Sequence, residues 1–449
     1  MRPPRIFEIV GILALLLGVA AASLQGSPRF LPVAAVADTM VTNDPIARLQ
    51  ARIDAGDVVL AYDSTLGYLP AVLKALEIPV SSQGLVFSRT SLQTDHITPW
   101  SPRALYFNDD VYVGYVQDGF ILEIAAVDRK AGAVFYTLSQ KSRSRPTFSR
   151  EGTTCLMCHQ SRITGNVPGF MVRSTIADRY GYAITGAHEG TTTDETPIRQ
   201  RWGGWYVTGT HGKTGHSGNV FSPLLSHEVS DKDGYRRQFD LTTESARTDL
   251  AGKFDATTYL SAHSDIVALM VLVHQTTVHN LITAVNIAAG APLSATVYGS
   301  ASGAPAAEGT DTMTLRLQTA VEALVRALLF VQEAKLDGPM RGTTSFVADF
   351  ARVGPRDGKG RSLRDFDLDT RLFRYPLSFL IYSESFDAIP DVARLEIYRQ
   401  LRAILSGADT SADFRRLTAA DRQAILEIVE ATKPAFARTR AHQGSRDPN

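Results

Sequence analysis

The sequence is poor in cysteine and carries no excess of charge of either sign. Only two of its 449 residues are cysteine, which excludes a disulfide framework. Lysine plus arginine and aspartate plus glutamate balance at 46 each, so no overall field attracts nucleic acid or anionic lipid. We therefore expect no nucleic-acid partner. The hydrophobic content of 44% and the chain length are sufficient for a substantial core in two or three lobes.

The two cysteines stand close together, in the stretch Cys155-Leu156-Met157-Cys158-His159. This C-x-x-C-H spacing is the one through which a c-type haem is attached. Each thiol can add to one haem vinyl group, and the histidine that follows is then held beneath the iron as its proximal ligand. Because the chain has no other cysteine, we expect one covalent haem c, bound by Cys155, Cys158 and His159.

Two other kinds of site use a C-x-x-C pair. It can form a thiol–disulfide couple, or it can supply half of the ligands of a zinc site. Neither use explains why His159 follows directly, and a zinc site needs further ligands that no other cysteine of this chain provides. Both stay open as alternatives to haem attachment.

The motif resembles the haem-binding motif of c-type cytochromes, and this resemblance implies haem attachment without fixing the fold. Two longer tracts, 201–212 (RWGGWYVTGTHG) and 371–390 (RLFRYPLSFLIYSESFDAIP), are similar to stretches in large bacterial cytochrome-c-like proteins. In small cytochromes the motif opens the chain, whereas here it lies deep within it. The compact fold of those small proteins is therefore not expected.

The N-terminus has the features of a secretory signal. Arg2 and Arg5 precede an apolar run over 9–22, which is shorter than the roughly 20 residues that span a bilayer. An Ala-Val-Ala step at 35–37 offers a cleavage site, an earlier cut near 20–22 is an alternative, and an uncleaved anchor is another. The resemblance implies haem attachment on the outer face of the bacterial inner membrane. We expect a periplasmic protein, or alternatively one anchored to the inner membrane and facing the periplasm.

The patterning indicates an α+β protein with a β-rich N-terminal half that carries the motif and a helical C-terminal half packed against it. We divide the chain into a signal at 1–37, a β-rich region at 38–220, a mostly helical region at 221–440 and a disordered tail at 441–449. Within these regions the periodicity predicts a short helix at 45–55, three or four antiparallel strands over 104–138, a hairpin at 170–184, helices at 262–289, 312–336, 392–405 and 419–431, and a loop at 290–311.

The sixth ligand of the iron separates an electron carrier from a catalyst, because only an open position lets a small molecule reach the metal. His274 is the single polar residue on an apolar stripe of the helix at 262–289, and we predict it as the distal ligand. The alternatives are an open site or one of His279, His211, His216, Met171 and Met270. Arg143, Arg145 and Arg150, just before the motif, are candidates to pair with haem propionates.

These features predict an exported c-type cytochrome that transfers electrons to or from a periplasmic or membrane redox partner. The alternative is a haem peroxidase or oxidase-like enzyme with an open distal site and a small-molecule substrate. A third possibility is a sensor or scaffold in which the haem is structural. The sequence leaves the choice between carrier and enzyme open.

Overall fold

A seven-stranded antiparallel sheet forms the centre of the N-terminal half. The computed structural model describes residues 41–184, 189–213, 215–222, 224–225, 247–290 and 310–443. The sheet has the strand order β6-β5-β4-β3-β2-β1-β9, and β7 and β8 form a separate two-stranded sheet. The strands are β1 (Gly84–Val86), β2 (Arg103–Phe107), β3 (Val111–Tyr115), β4 (Ile121–Asp128), β5 (Gly132–Ser139), β6 (Phe148–Glu151), β7 (Arg173–Thr175), β8 (Glu189–Thr191) and β9 (Trp205–Tyr206).

The strands predicted over 104–138 are confirmed as the four antiparallel strands β2 to β5. The hairpin predicted at 170–184 is present only as a short antiparallel turn, in which the Ile184 amide donates to the Ile176 carbonyl at 2.8 Å. Strand β7 pairs with β8, which lies beyond the predicted segment, and within 170–184 only a single bridge joins Ala177 to Ala183. The expected signal, the connection over 291–309 and the last residues of the expected tail lie outside the described residues.

Most of the ten helices in the described ranges belong to the C-terminal half, so the protein is α+β as predicted. The four longer helices expected there are all present, and so is the short helix at 45–55. The helices are α1 (Pro45–Ala55), α2 (Leu69–Ala75), α3 (Thr153–His159), α4 (Ile266–Ala288), α5 (Thr310–Leu328), α6 (Phe346–Arg352), α7 (Glu384–Asp387), α8 (Asp391–Leu405), α9 (Ala419–Thr432) and α10 (Pro434–Gln443).

Helix α5 ends earlier than the periodicity predicts. Phe330 has a left-handed backbone with φ of 52°, and the Val331 amide donates to the carbonyl of Arg326 at 3.1 Å. This is a Schellman ending, a position that glycine usually fills because a side chain there is strained. The Phe330 ring stacks on the ring of His274 at 4.1 Å between centroids, and this contact offsets the strain.

Helix α4 is the central element of the core. The Asp265 carboxylate caps it by accepting from the amides of Val267 at 2.8 Å and Ala268 at 3.3 Å. The helix is long and apolar enough to cross a bilayer, but 83% of its most apolar stretch is buried inside the protein. A hydrophobic core of this kind passes the same length and composition test as a membrane span.

The sheet separates two hydrophobic clusters. On one face Tyr112 and Phe135 pack in the same cluster as α4, and on the other face Tyr106 and Tyr136 pack in the cluster that contains α1 and α2. Gly132, at the start of β5, has φ of 77°, and a Cβ there would lie 2.6 Å from the Thr283 methyl group of α4. The β-rich and helical halves therefore share the first of these two clusters.

Candidate functional site

The C-x-x-C-H motif forms its own short helix, α3, which begins two residues after edge strand β6 ends. Residues three and four positions apart in a helix are neighbours on one face, so Cys155, Cys158 and His159 share that face. Both cysteines are free thiols. Cys155 is half-buried and packs against the α4 cluster, whereas Cys158 is exposed.

The surroundings of Cys155 disfavour a thiolate. Burial, assisted by the charges of Glu151 and Glu123, raises the pKa of the Cys155 thiol to about 11. Catalytic cysteines of thiol–disulfide couples have instead a lowered pKa, because the thiolate is the attacking species. Cys155 is therefore poorly suited to be the attacking thiol of a redox couple.

His159 is oriented by a main-chain carbonyl. Its Nδ1 lies 2.9 Å from the Gly169 oxygen, and since a carbonyl oxygen can only accept, Nδ1 carries the hydrogen. Burial lowers the pKa of His159, which favours the neutral ring. Nε2 then holds the lone pair, and no hydrogen-bond partner for Nε2 occurs in the described part of the chain. This tautomer is the one that a haem-ligating histidine needs.

Helix α4 fixes the segment that holds His159. The amide of Gly169 donates to the His159 carbonyl at 2.8 Å, so both main-chain groups of Gly169 bond to this one residue. Next to it, the Asn280 side chain accepts from the Phe170 amide and donates to the Phe170 carbonyl, both at 2.8 Å. A Cβ on Gly169 would lie 2.4 Å from Asn280 Oδ1, so the close approach requires glycine.

Helix α3 packs against the sheet through His159. The His159 ring packs on Phe135 of β5, with ring centroids 4.6 Å apart. Nearby, Arg103 Nη2 and Glu123 Oε2 form an ion pair at 3.0 Å, with both side chains mostly buried. The Arg103 guanidinium crosses strand β3 over Gly114, where any Cβ would lie 2.4 Å from Nη2. The charges of Arg103 and Glu123 both act on His159.

The residues present fit a covalently bound haem. Two thiols and one imidazole nitrogen share a helix face, and two apolar side chains in or beside the motif are exposed: Met157 by 72% and Ile163 by 45%. The apolar face of a haem would shield such side chains from water. No group of three or more His, Cys, Asp or Glu side chains placed to hold a metal ion occurs among the described residues.

His274, predicted as the distal ligand, has both ring nitrogens engaged. Nδ1 lies 2.6 Å from Asp194 Oδ2, and Nε2 lies 2.8 Å from Ser378 Oγ. His274 would have to give up one of these bonds to bind iron. The connectivity is that of a Ser-His-Asp relay, but Ser378 is fully buried and its Oγ also accepts from the Leu380 amide. The bonds of His274 therefore join helix α4 to Asp194 and to Ser378, which is a structural role.

The other ligand candidates are also held inside the protein. His279 is buried and its Nε2 lies 2.8 Å from the Asp109 carbonyl. The rings of His211 and His216 are 5.0 Å apart, and the Nδ1 atom of each accepts from a main-chain amide. Met270 is buried in α4, and Met171 is half-buried.

Of the predicted propionate partners, Arg143 and Arg145 are exposed and Arg150 is half-buried.

Gly169, Asn280, Arg103 and Glu123 were not identified as site residues from the sequence. The only signal for Gly169 is the Pro168-Gly169 pair that ends any helix after the motif. Nothing in the local pattern marks the other three residues.

No protein-family model matches this chain, and neither the curated proteins nor the solved structures contain a significant match to it.

Proposed function

We propose that this chain is an exported c-type cytochrome that carries one covalent haem and transfers electrons. The observation that carries the proposal is the state of His159. A carbonyl fixes its tautomer, burial lowers its pKa and so favours the neutral ring, and Nε2 has no partner among the described residues. A histidine prepared in this way, on the same helix face as two free thiols, matches the donor set of a c-type haem.

Each residue has a definite role in the proposal. When bound, the haem would supply a one-electron couple. The sulfur atoms of Cys155 and Cys158 would hold it through thioether links, and the raised pKa of Cys155 leaves little of this thiol as the reactive thiolate before attachment. The Gly169 carbonyl, by accepting from Nδ1, increases the basicity of Nε2 and so strengthens it as a ligand.

Export and the redox partner are part of the same proposal. The apolar run at 9–22 directs the chain across the inner membrane, where it stays in the periplasm or anchored to that membrane. A periplasmic or membrane protein would exchange electrons with it. The exposed helix α3, with Cys158 and Met157 at its surface, would bring the haem close to such a partner.

The experiment is to produce the full chain in bacteria that mature c-type cytochromes and to stain a denaturing gel for haem. The wild-type band should stain, and the double variant Cys155→Ser/Cys158→Ser should not. Met157→Leu is the matched control, because Met157 is an exposed member of the same motif that bonds to nothing in the proposal. An unstained wild-type band, or a stained double variant, would end the proposal.

A second candidate is a haem peroxidase or oxidase-like enzyme with an open distal position. The observation that favours it is that His274 has both ring nitrogens bonded to protein groups. Absorption spectra separate the two candidates. A six-coordinate low-spin haem in both oxidation states supports the carrier, and a high-spin haem that binds cyanide or reacts rapidly with peroxide supports the enzyme.

A further inference from the structure

A cavity of about 370 Å³ opens on the helical half, beyond the end of α5. This size lies within the range of small-molecule sites, which runs from roughly 300 to 1,000 Å³. Its apolar walls include Phe330, Leu336, Phe414 and Leu417, all of them buried. The cavity is thus a concave apolar surface on a part of the molecule that the haem proposal does not use.

The charged groups of this cavity do not balance. Arg371 is paired with Asp421 at 2.7 Å, and Asp413 is paired with Arg326, so these two lining residues are neutralised. Among the described residues, Arg416 donates to the main-chain oxygen of Glu333, at 2.6 Å, and to no other group. In the described ranges neither Arg416 nor Lys335, which also lines the cavity, forms an ion pair. Within the part of the chain that the structure describes, these two cations therefore have no ion-pair partner.

Glu333, the remaining acidic group of the lining, does little to compensate them. It is 8% exposed, and its Oε1 accepts from the Leu372 amide at 2.8 Å. Burial raises the pKa of Glu333 to about 7, so the carboxyl carries a proton for much of the time near neutral pH. The lining thus combines apolar walls with an excess of positive charge.

We propose that this cavity binds a small organic anion with an apolar body. Arg416 and Lys335 would pair with its acidic group, and Leu336, Phe414 and Leu417 would contact the rest of the molecule. An arginine suits a carboxylate because its guanidinium presents two donors in one plane. Both parts of the ligand are needed. An apolar body without the charge leaves the two cations unpaired, and a bare inorganic anion leaves the walls in contact with water.

The test uses the full chain and isothermal titration calorimetry with three probes. Benzoate carries both parts, benzyl alcohol keeps the ring without the charge, and inorganic phosphate keeps the charge without the ring. Benzoate should bind at least 10-fold more tightly than either of the other two. Equal affinity for benzoate and benzyl alcohol, or for benzoate and phosphate, would overturn the proposal.

Variants then locate the site. Lys335→Gln and Arg416→Gln should each weaken benzoate binding several-fold. Lys335 is the cleaner of the two, because Lys335→Gln breaks no hydrogen bond or ion pair within the described residues, whereas Arg416→Gln removes the bond to the Glu333 carbonyl. Arg415→Gln is the matched control, an exposed neighbour that does not line the cavity, and it should bind benzoate like the wild type. Unchanged binding in Lys335→Gln and Arg416→Gln would place benzoate elsewhere and refute the assignment.

Discussion

Gly169 and His159 exchange two hydrogen bonds. The Gly169 amide donates to the His159 carbonyl at 2.8 Å, and His159 Nδ1 donates to the Gly169 carbonyl at 2.9 Å. Gly169 therefore binds both the main chain and the imidazole ring of His159, which fixes the orientation of the ring. Metal-ligating histidines in general depend on such a bond for their orientation and basicity. The predictions for the site follow from this pair.

Replacing Asn280 should loosen His159 without touching it. Asn280→Leu removes the two bonds to Phe170 and leaves its amide and carbonyl unpaired, which costs about 1–3 kcal/mol of the free energy of unfolding. A weaker Nδ1 bond makes Nε2 less basic, so the reduction potential of the bound haem should rise. Potentiometry and thermal unfolding measure the two effects.

The control for Asn280 lies on the same helix. Asn286 is buried in α4, and within the described ranges its amide makes one long bond, of 3.4 Å, to the Arg129 carbonyl. Asn286→Leu should leave the potential unchanged. A potential that stays at the wild-type value in Asn280→Leu, despite the expected loss of stability, would show that the two bonds between Asn280 and Phe170 do not influence His159.

Gly169→Ala should disturb the same contact from the other side. The new methyl group would lie 2.4 Å from Asn280 Oδ1, and Asn280 cannot move away without breaking its bonds to Phe170. Overpacking of this kind costs about 1–3 kcal/mol. We expect a lower melting temperature and less haem per chain. Gly358→Ala, where a Cβ meets nothing within 4 Å, is the control and should behave as the wild type.

The two thiols should differ strongly in reactivity before haem is attached. With a pKa of about 11, the Cys155 thiol is only about one-thousandth thiolate at pH 8, whereas Cys158 is exposed. In protein made without cytochrome maturation, iodoacetamide should label Cys158 first, and labelling of Cys155 should accelerate as the pH approaches 11. Mass spectrometry of Cys155→Ser and Cys158→Ser follows each thiol alone. Equal rates at pH 8 would contradict the difference.

The sequence predicts those parts of the fold whose information is local. Strands β2 to β5 each combine β-branched and aromatic residues with turn residues between them, and α4 is a long run without proline. Strands β1 and β9 have only three and two residues, too few to show a period. The partner of β7 depends on where the chain returns after 184, which no local pattern contains.

The candidate site divides in the same way. Cys155, Cys158 and His159 come from one turn of helix, so their spacing alone predicts that they share a face. Asn280 is separated from Phe170 by 110 positions, and only the folded chain brings the two together. His274 illustrates the opposite difficulty. A lone histidine on an apolar stripe has the same sequence pattern whether it binds a metal or is a buried residue bonded to other side chains, and the contacts of His274 with Asp194 and Ser378 appear only in the folded chain.

Glu333 should make stability depend on pH. Its pKa in the folded protein, about 7, lies above the ordinary value of 4.5, so the folded state binds this proton more tightly than the unfolded chain does. The resulting stabilisation is complete below pH 4.5 and is lost as the pH rises through 7. Burial is the main cause of the raised pKa, and the charge of Asp194 adds to it, whereas the bond from the Leu372 amide and the charges of Arg201 and Arg416 lower the pKa.

Glu333→Gln tests this linkage, because the amide keeps an acceptor for the Leu372 amide and cannot ionise. The variant should be more stable than the wild type at pH 8, by roughly 1–3 kcal/mol, and the difference should shrink towards pH 4.5. Urea unfolding at several pH values measures it. A constant difference across this range would mean that Glu333 does not titrate on unfolding.

His274→Leu separates a structural histidine from an iron ligand. The variant leaves the Asp194 carboxylate and the Ser378 hydroxyl without their His274 partner, and an unpaired buried polar group costs about 1–3 kcal/mol. The melting temperature should therefore fall. The absorption spectrum of the bound haem should stay as in the wild type, because both His274 nitrogens are already bonded to protein groups.

Met171→Leu is the companion variant, since Met171 is half-buried and two residues from Gly169. A change from low-spin to high-spin haem in His274→Leu would restore His274 as the distal ligand, and the same change only in Met171→Leu would assign that place to methionine.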